Sequence, residues 1–325
     1  MALFDFSMDK LTTYDPAEKA PRDFEAFWKR TLAETEKAGP AAPHFVEVKD
    51  SFYKLVDVYD VTFKGYGGQD VKGWFIEPTG NEKALPCVVT FVGYGGGRSL
   101  PVDHFSVAVA GFANLVMDTR GQGSNWSPGA TADIGEREEG GQYPGFMTRG
   151  ILSPETYYYR RVFMDAVRAV EAAGEHPHVD ASRIAVMGGS QGGGIAIAAA
   201  AILGKRVKVA MADVPFLCHF TRATTLVDSS PYVEIANYLR AHRDRKEAVY
   251  NTLSYFDGIH FASKITARVL FSVGLMDQTC PPSTVYAAYN RIKGKKEMRI
   301  YDFNNHEGGG PFQHAERLRF AAAWL

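Results

Sequence analysis

The stretch Arg183-Ile-Ala-Val-Met-Gly-Gly-Ser-Gln-Gly-Gly-Gly-Ile-Ala-Ile-Ala-Ala-Ala-Ala201 decides the fold. Ile184 to Met187 is a short apolar run of the kind that forms a strand buried on both faces. Gly188, Gly189, Ser190, Gln191 and Gly192 then fit the pattern G-x-S-x-G. Ile195 to Leu203 follows as a small, apolar run of high helix propensity. A strand, a sharp turn and a helix in that order make the pentapeptide a nucleophile elbow. The reason is steric: the central residue takes a strained conformation, and its neighbours two before and two after must lack side chains. Gly188 and Gly192 meet that demand. Ser190 is thereby offered at the N-terminus of a helix, whose unpaired amides favour developing negative charge. The alternative is a glycine-rich turn that binds a phosphate or nothing. Neither the G-x-G-x-x-G spacing nor the Lys-Ser/Thr pair of a P-loop is present.

Working outward, the 325 residues are 46% apolar and 22% charged, ordinary for a globular chain with ample core. That length suits one large α/β domain or two small ones, and a single domain over 1–325 is expected. A formal net charge of -1 gives no electrostatic case for nucleic acid or an anionic membrane. Cys87, Cys218 and Cys280 are sparse and odd in number, which argues against a disulfide framework and for a reducing compartment. No C-x-x-C or His/Cys cluster suggests zinc. His176-Pro177-His178 lacks thiol or carboxylate companions along the chain, so neither a metal nor a cofactor is expected. The N-terminus carries acidic residues and no basic start before an apolar run, and no stretch of about 18 apolar residues exists. A soluble, cytoplasmic protein is the expectation.

Phe24, Phe27, Trp28 and Leu32 recur at helical spacing, so 22–38 reads as an amphipathic helix between Pro21 and Gly39-Pro40. Leu55 to Phe63 and Val71 to Glu77 read as a hairpin around Tyr66-Gly67-Gly68-Gln69. Pro86 to Val92 is the first fully apolar strand and runs into Gly93-Tyr94-Gly95-Gly96-Gly97. Ala113 to Met117 is the next, ending at Asp118-Thr119-Arg120-Gly121-Gln122-Gly123. Residues 124–156 read as loop, with an acidic cluster from Glu136 to Gly141. Tyr157 to Ala173 reads as a helix before the elbow strand. Val207 to Met211 is a strand that leads to Asp213. Residues 221–262 break the alternation and read as helices inserted above the sheet. Strand 268–273, a helix from about Ser283 to Ile292, strand 297–303 and a helix from Pro311 complete the chain. Strands alternating with helices imply a mostly parallel sheet covered on both faces, with the hairpin at its edge.

A serine hydroxyl needs an imidazole to take its proton, and the imidazole needs a carboxylate to set its tautomer. In this class both come later in the chain, acid first, from loops at the C-terminal ends of strands. Asp277 follows strand 268–273 and His306 follows strand 297–303. His314 falls in the terminal helix and is read as a surface residue. Asp213 is the rival acid, also placed past a strand. The oxyanion requires two donors: the N–H of Gln191, after the nucleophile, and one from the loop after the first apolar strand, assigned to Tyr94.

Arg120-Gly121-Gln122, Gly188-Gly-Ser-Gln-Gly192 and His306-Glu307 together resemble the signature set of the acetyl xylan esterase and cephalosporin-C deacetylase family, carbohydrate esterase family 7, within the α/β-hydrolases. Gln142 to Gly150, Asp213 to Cys218 and Ser272 to Asp277 resemble it as well. The resemblance implies an α/β-hydrolase fold and metal-free removal of O-acetyl groups from short xylo-oligosaccharides and other small acetyl esters, cephalosporin C included. It also implies a homo-hexamer whose active sites face an inner cavity. Arg120 and Gln122 are read as braces of the elbow and its loops, with a plain surface charge the alternative for Arg120. Tyr94 and Phe216 are candidates for limiting the acyl pocket, and core packing explains Phe216 equally well. A serine peptidase, a broad short-chain carboxylesterase and a non-catalytic binding protein of the same fold remain the alternatives.

Overall fold

The computed structural model describes residues 4–49, 52–81, 83–133 and 141–325. The acidic cluster from Glu136 therefore lies outside the described residues, apart from Gly141. Nine strands form one sheet: β1 (His44–Glu47), β2 (Val56–Lys64), β3 (Asp70–Pro78), β4 (Leu85–Phe91), β5 (Ala113–Met117), β6 (Val179–Gly189), β7 (Val209–Asp213), β8 (Arg268–Gly274) and β9 (Lys296–Tyr301). Their spatial order is β1-β2-β3-β5-β4-β6-β7-β8-β9. β1, β2 and β3 pair antiparallel and β3 joins β5 antiparallel, while β5 through β9 are parallel. This is the mixed sheet of an α/β-hydrolase, as the alternation of elements predicts.

Strand order reverses beside β4, which has β5 on one side and β6 on the other. Connections leaving opposite ways open a crevice at the C-terminal ends of such strands. The Gly93–Gly97 loop and the elbow both emerge there.

The helices are α1 (Met8–Thr13), α2 (Phe24–Lys37), α3 (Phe105–Val109), α4 (Tyr158–Gly174), α5 (Gln191–Leu203), α6 (Phe220–Leu226), α7 (Tyr232–Ala241), α8 (Lys246–Ser254), α9 (Gly258–Ala262), α10 (Pro282–Arg291) and α11 (Gly310–Trp324). Side chains alternate across each strand. On β4, Cys87, Val89 and Phe91 join the large core that includes α4 and α5. Val88 faces the other way, with Val107 of α3 and Phe320 of α11. α5 is buried from Gln191 through Ala200 because its residues are small enough to let sheet and helices close over it. The aromatic stripe of α2 is core, as its spacing predicts. Phe24, Phe27 and Trp28 are buried, and Trp28 packs on Phe163, Phe256 and Phe261 with its Nε1 donating to the Tyr255 carbonyl at 2.9 Å.

Three boundaries differ from the sequence reading. β6 starts at Val179, five residues before the apolar run, because its first turn pairs at the sheet's rim where burial is not needed. β7 ends at Asp213, which pairs with Ser272, so that carboxylate belongs to the strand and does not lie beyond it. β9 ends at Tyr301, leaving His306 five residues into its loop. The short α1, α3 and β1 carry too little periodicity to be seen in sequence. Between β7 and β8, α6 to α9 occupy the region expected to be an insertion. No helix among the described residues is long and apolar enough to cross a membrane.

Candidate active site

Ser190 sits between β6 and α5 with φ 55° and ψ -121°, a region an L-residue occupies only under constraint, at a cost of about 1–3 kcal/mol. Backbone bonds hold it there. Its N–H donates to the Asp213 carbonyl at 2.9 Å, and its own carbonyl accepts from Phe216 at 2.9 Å and Gly194 at 3.1 Å. A Cβ at Gly188 would meet the Gly192 backbone at 2.4 Å, and one at Gly192 would meet the Phe91 carbonyl oxygen at 2.2 Å. The two glycines are therefore a requirement of the turn.

His306 Nε2 lies 2.9 Å from Ser190 Oγ, and His306 Nδ1 lies 2.8 Å from Asp277 Oδ2. The carboxylate can only accept, so Nδ1 carries the proton and Nε2 presents its lone pair to the hydroxyl. Asp277 is fully buried. Its second oxygen accepts the N–H groups of Thr279 and Cys280, each at 2.8 Å, which fixes the carboxylate plane. Asn305 ties the two loops: its Oδ1 accepts from His306 N at 2.9 Å and Gln278 N at 3.1 Å. The order expected from sequence thus brings Ser190, Asp277 and His306 together within hydrogen-bonding reach.

Asp213 is otherwise engaged. Its Oδ1 accepts from Gln313 Nε2 at 2.6 Å and its Oδ2 pairs with Arg317 at 3.1 Å. Burial pushes its carboxyl up, with Arg317 and Gln313 pulling the other way. Cys280 lies beside Ser190, and burial keeps its thiol well above the usual range. Asp277, Cys280 and His306 could in principle group around a metal, but both imidazole nitrogens are already committed to Asp277 and Ser190.

The N–H groups of Tyr94 and Gln191 donate to no protein acceptor among the described residues, so both remain available at the mouth of the elbow. Gln122 explains how their loops are held. Its Oε1 accepts the Gly95 N–H at 2.7 Å, and its Nε2 donates to Gln191 Oε1 at 2.8 Å. Tyr159 donates to the same Gln191 oxygen at 2.8 Å. Trp126 Nε1 donates to the Tyr94 carbonyl at 2.8 Å, pinning that peptide from the outer side. Gln122 thus spans the two loops as a brace. Arg120 is no surface charge: it is fully buried and holds Asp165 through two bonds of 2.5 and 2.7 Å.

For Phe216 the structure takes the core-packing alternative, and for His314 it departs from the surface reading. Phe216 is fully enclosed, 4.3 Å from the Tyr232 ring and 6.1 Å from that of Tyr94. It supports Tyr94 from beneath and offers substrate no surface, because the α7 helix covers it. His314 is partly buried, with Nε2 2.7 Å from Ser106 Oγ and Nδ1 facing Arg317 at 2.6 Å. That arginine contact makes Nδ1 an acceptor, so Nε2 bears the proton and cannot act as a base toward Ser106.

Sequence reasoning missed Glu234 on α7. Its carboxylate accepts the Tyr94 hydroxyl at 2.8 Å and the Met147 N–H at 3.2 Å, while Tyr94 Oη accepts the Phe146 N–H at 2.9 Å. Burial and the neighbouring Glu234 carboxylate push the Tyr94 hydroxyl well above its ordinary value, so it stays protonated and donates. No motif surrounds Glu234; only the insertion's path brings it here. Elsewhere, a cleft of about 850 Å³ lies between the N-terminal arm and α10, lined by Asp15, Glu18, His260 and Arg291 among others.

The whole chain is similar to esterases of known structure. A solved structure, acetyl xylan esterase from Paenibacillus sp. R4, is 42% identical and superposes with a TM-score of 0.90, covering 98% of this chain and all (100%) of that one. Acetyl xylan esterase 1 from Thermoanaerobacterium sp. JW/SL YS485 is 32% identical with a TM-score of 0.88, over 99% and 100% of the two chains. Acetyl esterase Axe7A of Xylanibacter ruminicola is 28% identical over 299 residues, 90% of this chain; the match spans 64% of that relative's length. The acetyl xylan esterase (AXE1) family model matches residues 1–324, and the chain belongs to that family.

Proposed function

We propose that this protein is a serine esterase that removes O-acetyl groups from short acetylated xylo-oligosaccharides and other small acetyl esters, cephalosporin C included. The observation that carries the reading is one imidazole bridging a strained serine and a buried aspartate at 2.9 and 2.8 Å. His306 takes the Ser190 proton as Oγ attacks the acetyl carbonyl. The tetrahedral oxyanion is held by the Tyr94 and Gln191 amides, each worth about 3–4 kcal/mol in the transition state. His306 then gives the proton to the departing alcohol, and water, deprotonated by the same imidazole, hydrolyses the acetyl-enzyme. Asp277 keeps the imidazole in its tautomer and stabilises the imidazolium. In this reading Tyr94, whose hydroxyl is held by Glu234 and whose ring lies against Phe216, limits the acyl group to acetyl size.

Ser190→Ala should abolish release of p-nitrophenol from p-nitrophenyl acetate, by roughly 10⁴-fold or more; retention of most activity rejects the assignment. Rates over acetyl, butyryl and octanoyl esters, beside acetylated xylose and cephalosporin C, test the acyl limit and the alcohol. Preference for a peptide amide would favour a peptidase instead, and equal rates across chain lengths a broad carboxylesterase. The family resemblance extends the reading to a cytoplasmic homo-hexamer, and a monomer by analytical ultracentrifugation would remove that part.

A further inference from the structure

We propose that Glu77, His176 and His178 form a binding site for a divalent first-row transition-metal ion, Zn²⁺ foremost, at the end of the sheet opposite Ser190. Along the chain His176-Pro177-His178 shows no ligand set, and the fold supplies the third ligand from a distant strand. β3 runs antiparallel to its neighbour β5, so its last residues reach the start of β4 and β6, where Glu77 meets the two imidazoles. The candidate ligand atoms of all three residues lie within 4.8 Å of one another. His178 Nδ1 is 2.9 and 3.0 Å from the two carboxylate oxygens. Bonds of about 2.0–2.2 Å to a tetrahedral ion place ligand atoms roughly 3.3–3.6 Å apart. The site therefore has to contract by about an ångström at its widest, within reach of a side-chain rotation.

The surroundings suit such an ion. Glu77 is 1% exposed and His176 6%, whereas the His178 side chain is 44% exposed and leaves an entry path with room for a water ligand. The His176 ring is positioned by Phe75 at 4.0 Å and Phe45 at 4.7 Å. A bond from the His178 N–H to His176 Nδ1 is 3.4 Å long, too weak to commit that lone pair. Tyr59 stacks edge-on against the His176 ring at 5.6 Å, which helps to fix that ring's orientation. Two imidazoles with one carboxylate favour Zn²⁺, Co²⁺ or Ni²⁺ over Mg²⁺ or Ca²⁺. The Leu85 N–H donates to the His178 carbonyl at 2.8 Å, so an ion here would clasp the starts of β4 and β6 to the end of β3. β6 spans 11 residues between this site and the elbow, roughly 35 Å at strand rise. The ion's effect is on stability and leaves acyl transfer alone.

The test titrates the metal-free, tag-free full-length chain with Co²⁺ and then Zn²⁺. The expected result is one Co²⁺ per chain with visible ligand-field absorption, its displacement by Zn²⁺, a thermal midpoint raised by a few degrees, and an unchanged rate on p-nitrophenyl acetate. Glu77→Gln and His178→Ala should each lose the absorption and the thermal shift while keeping that rate. His178 is half-exposed, so its variant folds even where Glu77→Gln does not. Absence of binding at micromolar Co²⁺, or binding that survives in His178→Ala, overturns the proposal. Binding that abolishes esterase activity also overturns it, by locating the ion at Asp277, Cys280 and His306.

Discussion

The ends of β7 and β8 each carry a buried aspartate, yet only one of them holds an imidazole. Asp213 is the last residue of β7 and faces α11, where Gln313 and Arg317 claim both its oxygens. Asp277 lies three residues past Gly274 in a turn whose own N–H groups satisfy one oxygen and aim the other at His306. The lesson concerns direction. A carboxylate ending inside a strand is committed to the pleat and to the helix packed on it, while one in the turn beyond is free to point along the crevice. Asp213 still serves the site through its backbone, because its carbonyl accepts the Ser190 N–H.

Replacing each aspartate by asparagine is the sharpest way to break that contrast. Asp277→Asn should lower kcat on p-nitrophenyl acetate by about 10⁴-fold, since the amide stabilises the wrong tautomer of His306. Asp213→Asn should cost less than about tenfold, as its side chain never touches the imidazole; a reversed ranking in steady-state kinetics would exchange their roles. Gln122→Ala is expected to lower kcat by about 10- to 100-fold with little change in KM. It releases the Gly95 amide and the Gln191 side chain, and misplacement of donors by about 1 Å has that consequence; an unchanged kcat would mean that the two loops hold themselves.

The smallest effect separates the aspartates by stability. Burial raises the Asp213 carboxyl above its ordinary value of 3.8, so the folded chain binds that proton more tightly than the unfolded one. Its stabilising contribution is full below 3.8 and fades as pH rises through the raised folded value. Asparagine does not titrate. The stability of the parent relative to Asp213→Asn should therefore be greater near pH 4 than at pH 7. Urea unfolding of both proteins at the two pH values measures it, and an equal difference at both would show that Arg317 cancels the burial.

Most of the frame was legible because parallel strands buried on both faces are written as continuous apolar runs. The elbow was legible because steric closure leaves only glycine at 188 and 192. Asp277 and His306 followed from chain order. Phe216 could not be assigned from sequence, since an aromatic after a strand reads alike whether it lines a pocket or packs beneath one; α7 lies over it and decides. Glu234 had no signal, being a single acid on a polar helix. Its meeting with Tyr94 joins residues 140 apart in the chain.

The amino-acid sequence alone determined the strand-turn-helix geometry at Ser190, the class of sheet around it and the identity of its partners, because these rest on local sterics and on periodic burial. Tertiary structure alone decided that Asp213 is claimed by Gln313 and Arg317, that Gln122 braces the site by joining Gly95 to Gln191, and that Glu77 stands beside His176 and His178. Each of those is a contact between distant segments, set by the direction in which a strand ends and by which helix packs over it.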